Sequence, residues 1–390
     1  MASIKLKGDT SGEVTISAPA VAGTTTLELP TTSSTLATQN SLGVRNLIIN
    51  GDMRIAQRGT SSTGLTGDNF NYNSVDRFQT VLFTTTSVWT QSQSTDVPTG
   101  QGFSNSLKMD CTTADASLDA GTNITIEHKM EGQNLQHLKK GTASAESLTL
   151  SFWVKSNKTG TYIVELDDND NARNINNAYT INAADTWEKK TITIDGDTTG
   201  TLDNDNGHSL RIIWWLAVGS NYSSGTLQTS WGSTVNANRA VGQVNLADST
   251  SNYINITGVQ LEVGDAIPFE HRPYDMELAR CQRYCVAYGG VGTYEPFGIG
   301  VETSGTNASI QLGLPVTMRG SISLTASNVG NINVSDGVAF ATVTAINIDQ
   351  RGFQQVMFNA GVASGLSAAR ACRLIANNSL APRIIFTSEL

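Results

Sequence analysis

The chain has 390 residues, a formal net charge of −9 and only 15% charged residues, so it is longer than one hydrophobic core usually supports and two or three cores are expected. Its acidic balance, with no Lys/Arg-rich stripe, excludes bare nucleic acid as a partner, and the absence of any run of about 18 apolar residues excludes insertion of a helix into a membrane. Abundant Thr, Ser, Asn and Gly favour short strands and polar turns over helical bundles.

Residues 1–43 read as an arm, not a domain. Val14-Thr15-Ile16 and Thr25-Thr26-Leu27-Glu28-Leu29 are β-prone, but Pro19 and Gly23 separate them and each is too short to bury a core. Such a segment stays disordered or adds strands to a partner. The opening Met1-Ala2-Ser3-Ile4-Lys5 lacks the apolar centre of a secretory leader, so assembly inside a cell is expected.

Residues 44–273 show many strand patterns with turn signals between them. In the stretch 148–154, Leu148, Leu150, Phe152 and Val154 face one way, and Thr149, Ser151 and Trp153 the other. Strands are also expected at 162–166, ahead of the WEKKTITI run at 187–194, and at 210–218, which is apolar on both faces as a central strand should be. In the last long strand, 253–263, the apolar phase moves from Ile254 and Ile256 to Val259, Leu261 and Val263, which requires a bulge, and Gly258 is placed for it. Strands at this spacing without alternating helices imply a two-sheet sandwich of jelly-roll size.

Residues 274–287 carry a short linking helix. Asp275 is placed to cap it behind Pro273, and Leu278, Cys281, Gln282 and Cys285 make one face. Residues 288–390 return to alternation: Ala308, Ile310, Leu312, Leu314 and Val316 share one parity, and Val338, Phe340, Ile346 and Ile348 share parity across one long strand. The fold class is therefore all-β: an extended arm (1–43), a jelly-roll β-sandwich (44–273), a linking helix (274–287) and a small C-terminal β-sandwich (288–390).

Chemistry is sparse. Cys111, Cys281, Cys285 and Cys372 have no disulfide or metal spacing and read as buried free thiols. No Gly-x-Ser-x-Gly elbow accompanies the four histidines, and His271, in the closing segment, reads as structural. The oxygen-rich runs 167–171 and 203–207 lack the Gly and Glu of an EF-hand and read as solvated turns. Asp52 and Glu262, on the opening and closing strands, leave room for one structural calcium; no other metal or cofactor is expected. By parity Trp153 points away from the core, as does Trp215 beside Arg211. A tryptophan on an outer face stacks on a ligand or packs under a loop or another subunit, and packing is the commoner outcome. Trp153, Trp215 and Arg211 are the candidate ligand contacts.

Four stretches, taken together, resemble tail-fibre and virion appendage proteins of tailed bacteriophages. They are the arm SGEVTISAPAVAGTTTLELPTTSSTLAT at 11–38, the run NLIINGDMRIAQRG at 46–59 with Asp76-Arg77-Phe78, the run ITGVQLEVGDAIPFEHR at 256–272 leading into 277–284, and the final stretch 373–390. Thr387-Ser388-Glu389-Leu390 stands where the family has Asp-Ala-Glu-Leu, and Cys285 where an aromatic residue is usual. The resemblance implies a homotrimeric virion protein, assembled in the host cytoplasm and attached to other virion proteins through residues 1–43. It implies a tail fibre that holds a host-surface glycan or protein by multivalent contacts. The alternative is a purely structural appendage or head fibre. A glycan depolymerase is the enzymatic rival, but the chain lacks the repeated short coils of β-helical spike enzymes, and no enzyme activity is expected.

Overall fold

The computed structural model describes residues 3–7, 12–17 and 45–390; the chain divides into two compact units, 1–43 and 44–390. In the first, β1 (Ser3–Lys7) pairs antiparallel with β2 (Glu13–Ser17), Ile4 opposite Ile16 and Leu6 opposite Val14. The Val14-Thr15-Ile16 run is thus a strand that finds its partner within the arm. The β-prone run at 25–29 lies outside the described residues.

The second unit begins with a sandwich of β3 (Ser61–Leu65), β4 (Asn69–Tyr72), β5 (Gln79–Phe83), β6 (Val88–Ser94), β7 (Ser106–Thr113), β8 (Asn123–Glu131), β9 (Leu148–Ser156), β10 (Gly160–Asp168), β11 (Arg173–Ile181), β12 (Glu188–Ile194), β13 (His208–Val218), β14 (Gly232–Ser233) and β15 (Tyr253–Val263). One sheet runs β14-β11-β10-β13-β8-β5-β4, the other β12-β9-β15-β7-β6-β3. Between them lies one core that includes Phe78, Trp89, Leu107, Phe152, Tyr162, Trp214 and Leu261. The doubly apolar β13 is the middle strand of its sheet, as its sequence required. The bulge in β15 sits between Thr257 and Gln260, with Gly258 at φ +61°.

A nine-residue helix, α2 (Tyr274–Gln282), follows the single turn α1 (Ser220–Ser223) and leads into β16 (Cys285–Tyr288). The helix starts on Pro273 with no side-chain cap, and Asp275 lies in its first turn. Cys285 falls on the strand, so the expected four-residue helical face ends at Gln282. Cys281 packs with Ile49, Ile55 and Tyr284, so the helix is seated on the sandwich and does not merely link. All four thiols are buried and free.

The C-terminal part comprises β17 (Pro296–Ser304), β18 (Asn307–Gly313), β19 (Ser323–Ser327), β20 (Ile332–Ser335), β21 (Phe340–Arg351), β22 (Gln355–Val362), β23 (Ala371–Ala376) and β24 (Arg383–Thr387). It is a closed barrel, β17-β18-β22-β21-β20-β23, with β17 returning to β23, beside a three-stranded sheet β16-β24-β19. The expected small sandwich is corrected to a barrel: inside-outside alternation is the same in both, and closure depends on which end strands meet. In β21 the expected shared parity also fails. Ala341 and Val343 face inward while Val338 and Phe340 are exposed, and the bulge after Val343 shifts the phase so that Ile346 and Ile348 turn to the core.

The barrel locks onto the sandwich through polar contacts at the end of the chain. Glu389 forms ion pairs with Arg58 (2.7 Å) and with the fully buried Arg77, and the Arg77 guanidinium lies 3.5 Å from the Tyr284 ring centroid. Arg319 donates to the carbonyls of Asn206 (2.9 Å) and Glu389 (2.6 Å).

Candidate functional site

The outer face of the β12-β9-β15-β7-β6-β3 sheet carries Trp153, opposite Lys189 of β12 and Thr257 of β15. Beyond β15 the segment 264–272 turns back over this face. Outward-pointing side chains of β15 hold it there. Gln260 accepts from the Glu270 backbone N–H (2.8 Å), and the Glu262 carboxylate accepts from the Ile267 N–H (3.0 Å) and from the Gln260 amide (2.9 Å). Glu270 in turn accepts from the Asn46 N–H at 2.8 Å, tying the segment to the opening strand.

These restraints bring Phe269 and His271 into one cleft with Trp153, where both rings pack against Phe103. Ring centroids are 5.0 Å apart for Phe103 and Phe269, 4.9 Å for Phe269 and His271, and 5.4 Å for Phe103 and His271. Gly258 makes the arrangement possible: a Cβ there would stand 2.6 Å from the Phe103 ring and 3.0 Å from the Trp153 ring. The positive φ of the bulge and the approach of two rings both demand glycine.

The result is an open cleft of about 480 Å³ bordered by Gln101, Phe103, Trp153, Lys189, Phe269 and His271. Trp153 is half-buried, and Lys189 and His271 are exposed. Among the described lining residues, Lys189 and His271 are the ionisable ones, and none is Asp or Glu. A cleft with aromatic faces and a few polar edges suits a flat, hydroxylated ligand: rings stack on its C–H faces while amide, amine and imidazole groups meet its oxygens.

The other sequence-derived candidates lie elsewhere. Trp215 is corrected: it is fully buried on the far face of the opposite sheet. Its Nε1–H donates to Glu165 (3.0 Å), the Arg239 guanidinium lies 5.2 Å over the ring, and Tyr222 packs at 5.6 Å. The covering chain runs from α1 to Ala240, whose backbone N–H bonds the Tyr222 carbonyl. Arg211 is also corrected: its guanidinium is held by Asp167 (2.8 Å) and Glu127 (3.0 Å) and serves the sheet.

Asp52 pairs with Arg54 at 2.9 Å, and burial raises its carboxyl above the usual range. Glu262 is the anchor of the 264–272 segment, and burial raises its carboxyl too. Among the described residues no three His, Cys, Asp or Glu side chains converge on a metal-sized site. In the run 167–171, Asp167 and Asp168 are buried at the end of β10, where Asp168 pairs with Lys140, and only residues 169–171 form the solvated turn; the run 203–207 is a solvated turn as expected. His271 is a cleft wall and not a buried structural histidine. The rings missed from sequence, Phe103 and Phe269, sit in irregular segments where periodicity says nothing about direction; the shifted register at Gly258 was the available signal.

No protein-family model matches the sequence, and no curated protein matches it. Among solved structures, the chain is similar to the enzymatically active domain of tailspike protein 4 from bacteriophage CBA120, at 12% identity and a TM-score of 0.30 over 56% of this chain; the match spans 21% of that tailspike. It is also similar to a CBM4 module, at 14% identity and a TM-score of 0.29, covering 56% of this chain and 99% of the module. A family 11 carbohydrate-binding module from Clostridium thermocellum, in complex with a β-1,3-1,4-mixed-linked tetrasaccharide, gives 14% identity and a TM-score of 0.26 over 55% of this chain and 99% of the module.

Proposed function

We propose that this chain is a fibre-type appendage protein of a tailed-phage virion that holds a host-surface glycan in the cleft around Trp153. The observation that carries the reading is the cleft itself, in which the 264–272 segment is roped across the sheet and adds Phe269 and His271 to the walls that Trp153 shares. The four sequence stretches that resemble phage appendage proteins support the virion setting. The site works by adhesion. Glycoside hydrolysis needs two carboxyl groups about 5–10 Å apart, whereas the described lining residues include no Asp or Glu. Single-site sugar contacts are weak, and several copies on one particle multiply them through effective concentration.

The chain acts as a homotrimer in this proposal, attached to other virion proteins through residues 1–43. Ile299 and Val301, side by side on β17, are 74% and 48% exposed, apolar outer barrel positions that association would cover. Light scattering on the purified chain tests the assembly, with a mass of three chains expected. Adsorption tests the function: excess purified protein is expected to block attachment of the phage to its host, and the Trp153→Ala protein is expected not to. Equal blocking by both proteins would remove the cleft from the account.

A further inference from the structure

The chain has six tryptophans, and their surroundings divide them. Trp89, Trp214 and Trp215 are fully buried, and Trp231 packs on the sandwich core with the Lys140 ammonium 5.1 Å from its ring centroid. Trp153 and Trp187 are different. Both are half-buried and neither belongs to a hydrophobic cluster. Among the described residues no cation or aromatic ring is stacked on either of them. An indole has an apolar face and one polar edge, so a ring left unstacked at a surface is suited to a ligand that is apolar on its face and polar at its rim.

The sheet register sets the two side by side. Trp153 on β9 stands opposite Lys189 on β12. Trp187 lies one residue before β12 and two before Lys189, so it shares the outward side of Lys189 and is the diagonal neighbour of Trp153, a spacing of about 7–8 Å in a sheet. A polar strut fixes it there. The Trp187 Nε1–H donates to Asp96 Oδ1 at 3.0 Å, and Asp96 Oδ2 pairs with Lys155 at 2.7 Å. Lys155 follows Trp153 by two on β9 and leaves the sheet on the same side. The strut therefore ties the start of β12 to the outer face that carries the cleft.

β12 is the edge strand of its sheet, so no further strand walls this side. Lys189 is exposed and stands between the two tryptophans in the register. A single sugar held in the cleft would use one ring. Two unstacked indoles in register, with an amine between them at an open edge, match the repeat of a chain of linked sugars, whose C–H faces recur and whose hydroxyls alternate with them.

We infer that the Trp153 cleft and Trp187 form one groove for a linear oligosaccharide, with a sugar ring stacked on each indole and the Lys189 ammonium meeting the oxygens between them. This rests on the glycan reading of the cleft and extends it: the ligand is a run of linked sugars lying along β12. Asp96 is a positioning residue, which acts through the indole it holds.

Calorimetric titration of the full chain tests this with a disaccharide and a hexasaccharide fraction, both from partial hydrolysis of the host surface polysaccharide. The parent is expected to bind the hexasaccharide about tenfold more tightly, the worth of one further stacked ring. Trp187→Ala is expected to bring the hexasaccharide down to the affinity of the disaccharide and to leave the disaccharide unchanged, whereas Trp153→Ala weakens both. Should Trp187→Ala not fold, the indole N–H resonance of Trp187 in the parent gives the same reading, shifting with the hexasaccharide and not with the disaccharide. Equal affinity of the parent for the two fractions would overturn the groove and leave the cleft standing, as would an unchanged hexasaccharide affinity in folded Trp187→Ala. Binding of neither fraction would remove cleft and groove together. Loss of the three-chain mass in Trp187→Ala would also overturn the inference, by making this ring a contact between subunits.

Discussion

The two outer faces of the sandwich began from the same sequence signal and ended differently. Trp153 and Trp215 each stand at the outward parity of a strand whose other face fills the core. Over Trp215 the chain from α1 to Ala240 closes completely, and the indole becomes the centre of a small satellite core with Ile163, Ile213 and Ala240. Over Trp153 the segment 264–272 is pinned by Gln260 and Glu262 but stops short, so its rings stand beside the indole and leave a cleft. Parity says which way a side chain leaves the sheet; the reach and anchoring of the next loop decide whether it is covered by protein or left beside an open cleft.

Substitution should break this comparison in a graded way. Trp215→Ala carries the largest expected effect: removing a fully buried indole, and with it the Glu165 hydrogen bond, should cost about 3–5 kcal/mol in urea unfolding. Gly258→Ala comes next. Its left-handed backbone and the two rings within reach of a Cβ should cost about 1–3 kcal/mol and should abolish measurable glycan binding, because Phe103 and Trp153 must move apart. Trp153→Ala should change stability by less than about 1 kcal/mol while weakening glycan affinity about tenfold, so the two tryptophans separate fold from function.

Acid sharpens the contrast between buried and open groups. Burial holds the imidazoles of His128 and His208 at about 3, well below their ordinary value of 6.5. As pH falls below 6.5 the unfolded chain binds protons that the folded chain refuses, so these two groups withdraw stability progressively from pH 6.5 toward pH 3. Asp76, raised by burial to about 6, opposes them: between pH 6 and 3.8 the folded carboxyl keeps a proton the unfolded one has lost, and stability is gained as pH falls. Unfolding measured at pH 7, 6 and 5 should show a smaller acid loss in His208→Gln than in the parent. An unchanged slope would mean that His208 titrates normally in the folded chain.

Much of the architecture was legible in the residues. Alternation at 148–154, the doubly apolar 210–218 and the phase change at Gly258 were enough for an all-β sandwich with its bulge in place. Barrel closure was not legible, because pairing of β17 with β23 joins residues some seventy positions apart and leaves no local mark. Of the site, Trp153 was legible from parity alone. Phe103, Phe269 and His271 come from irregular segments, and Glu262 looked like a metal ligand because a carboxylate that accepts a backbone N–H and one that coordinates an ion are the same residue in a sequence. Arg211 and Trp215 failed as ligand contacts for one reason: Asp167, Glu127 and Glu165, close in space and distant in sequence, had already engaged them.

The most direct measurement follows the indole N–H resonances of the six tryptophans in a nitrogen-labelled, deuterated chain as oligosaccharide from the host surface is added. The account requires the Trp153 signal to shift and saturate while the Trp215 signal stays fixed. Saturable sugar binding with an unmoved Trp153 signal, or one in which Trp215 moves instead, would contradict it.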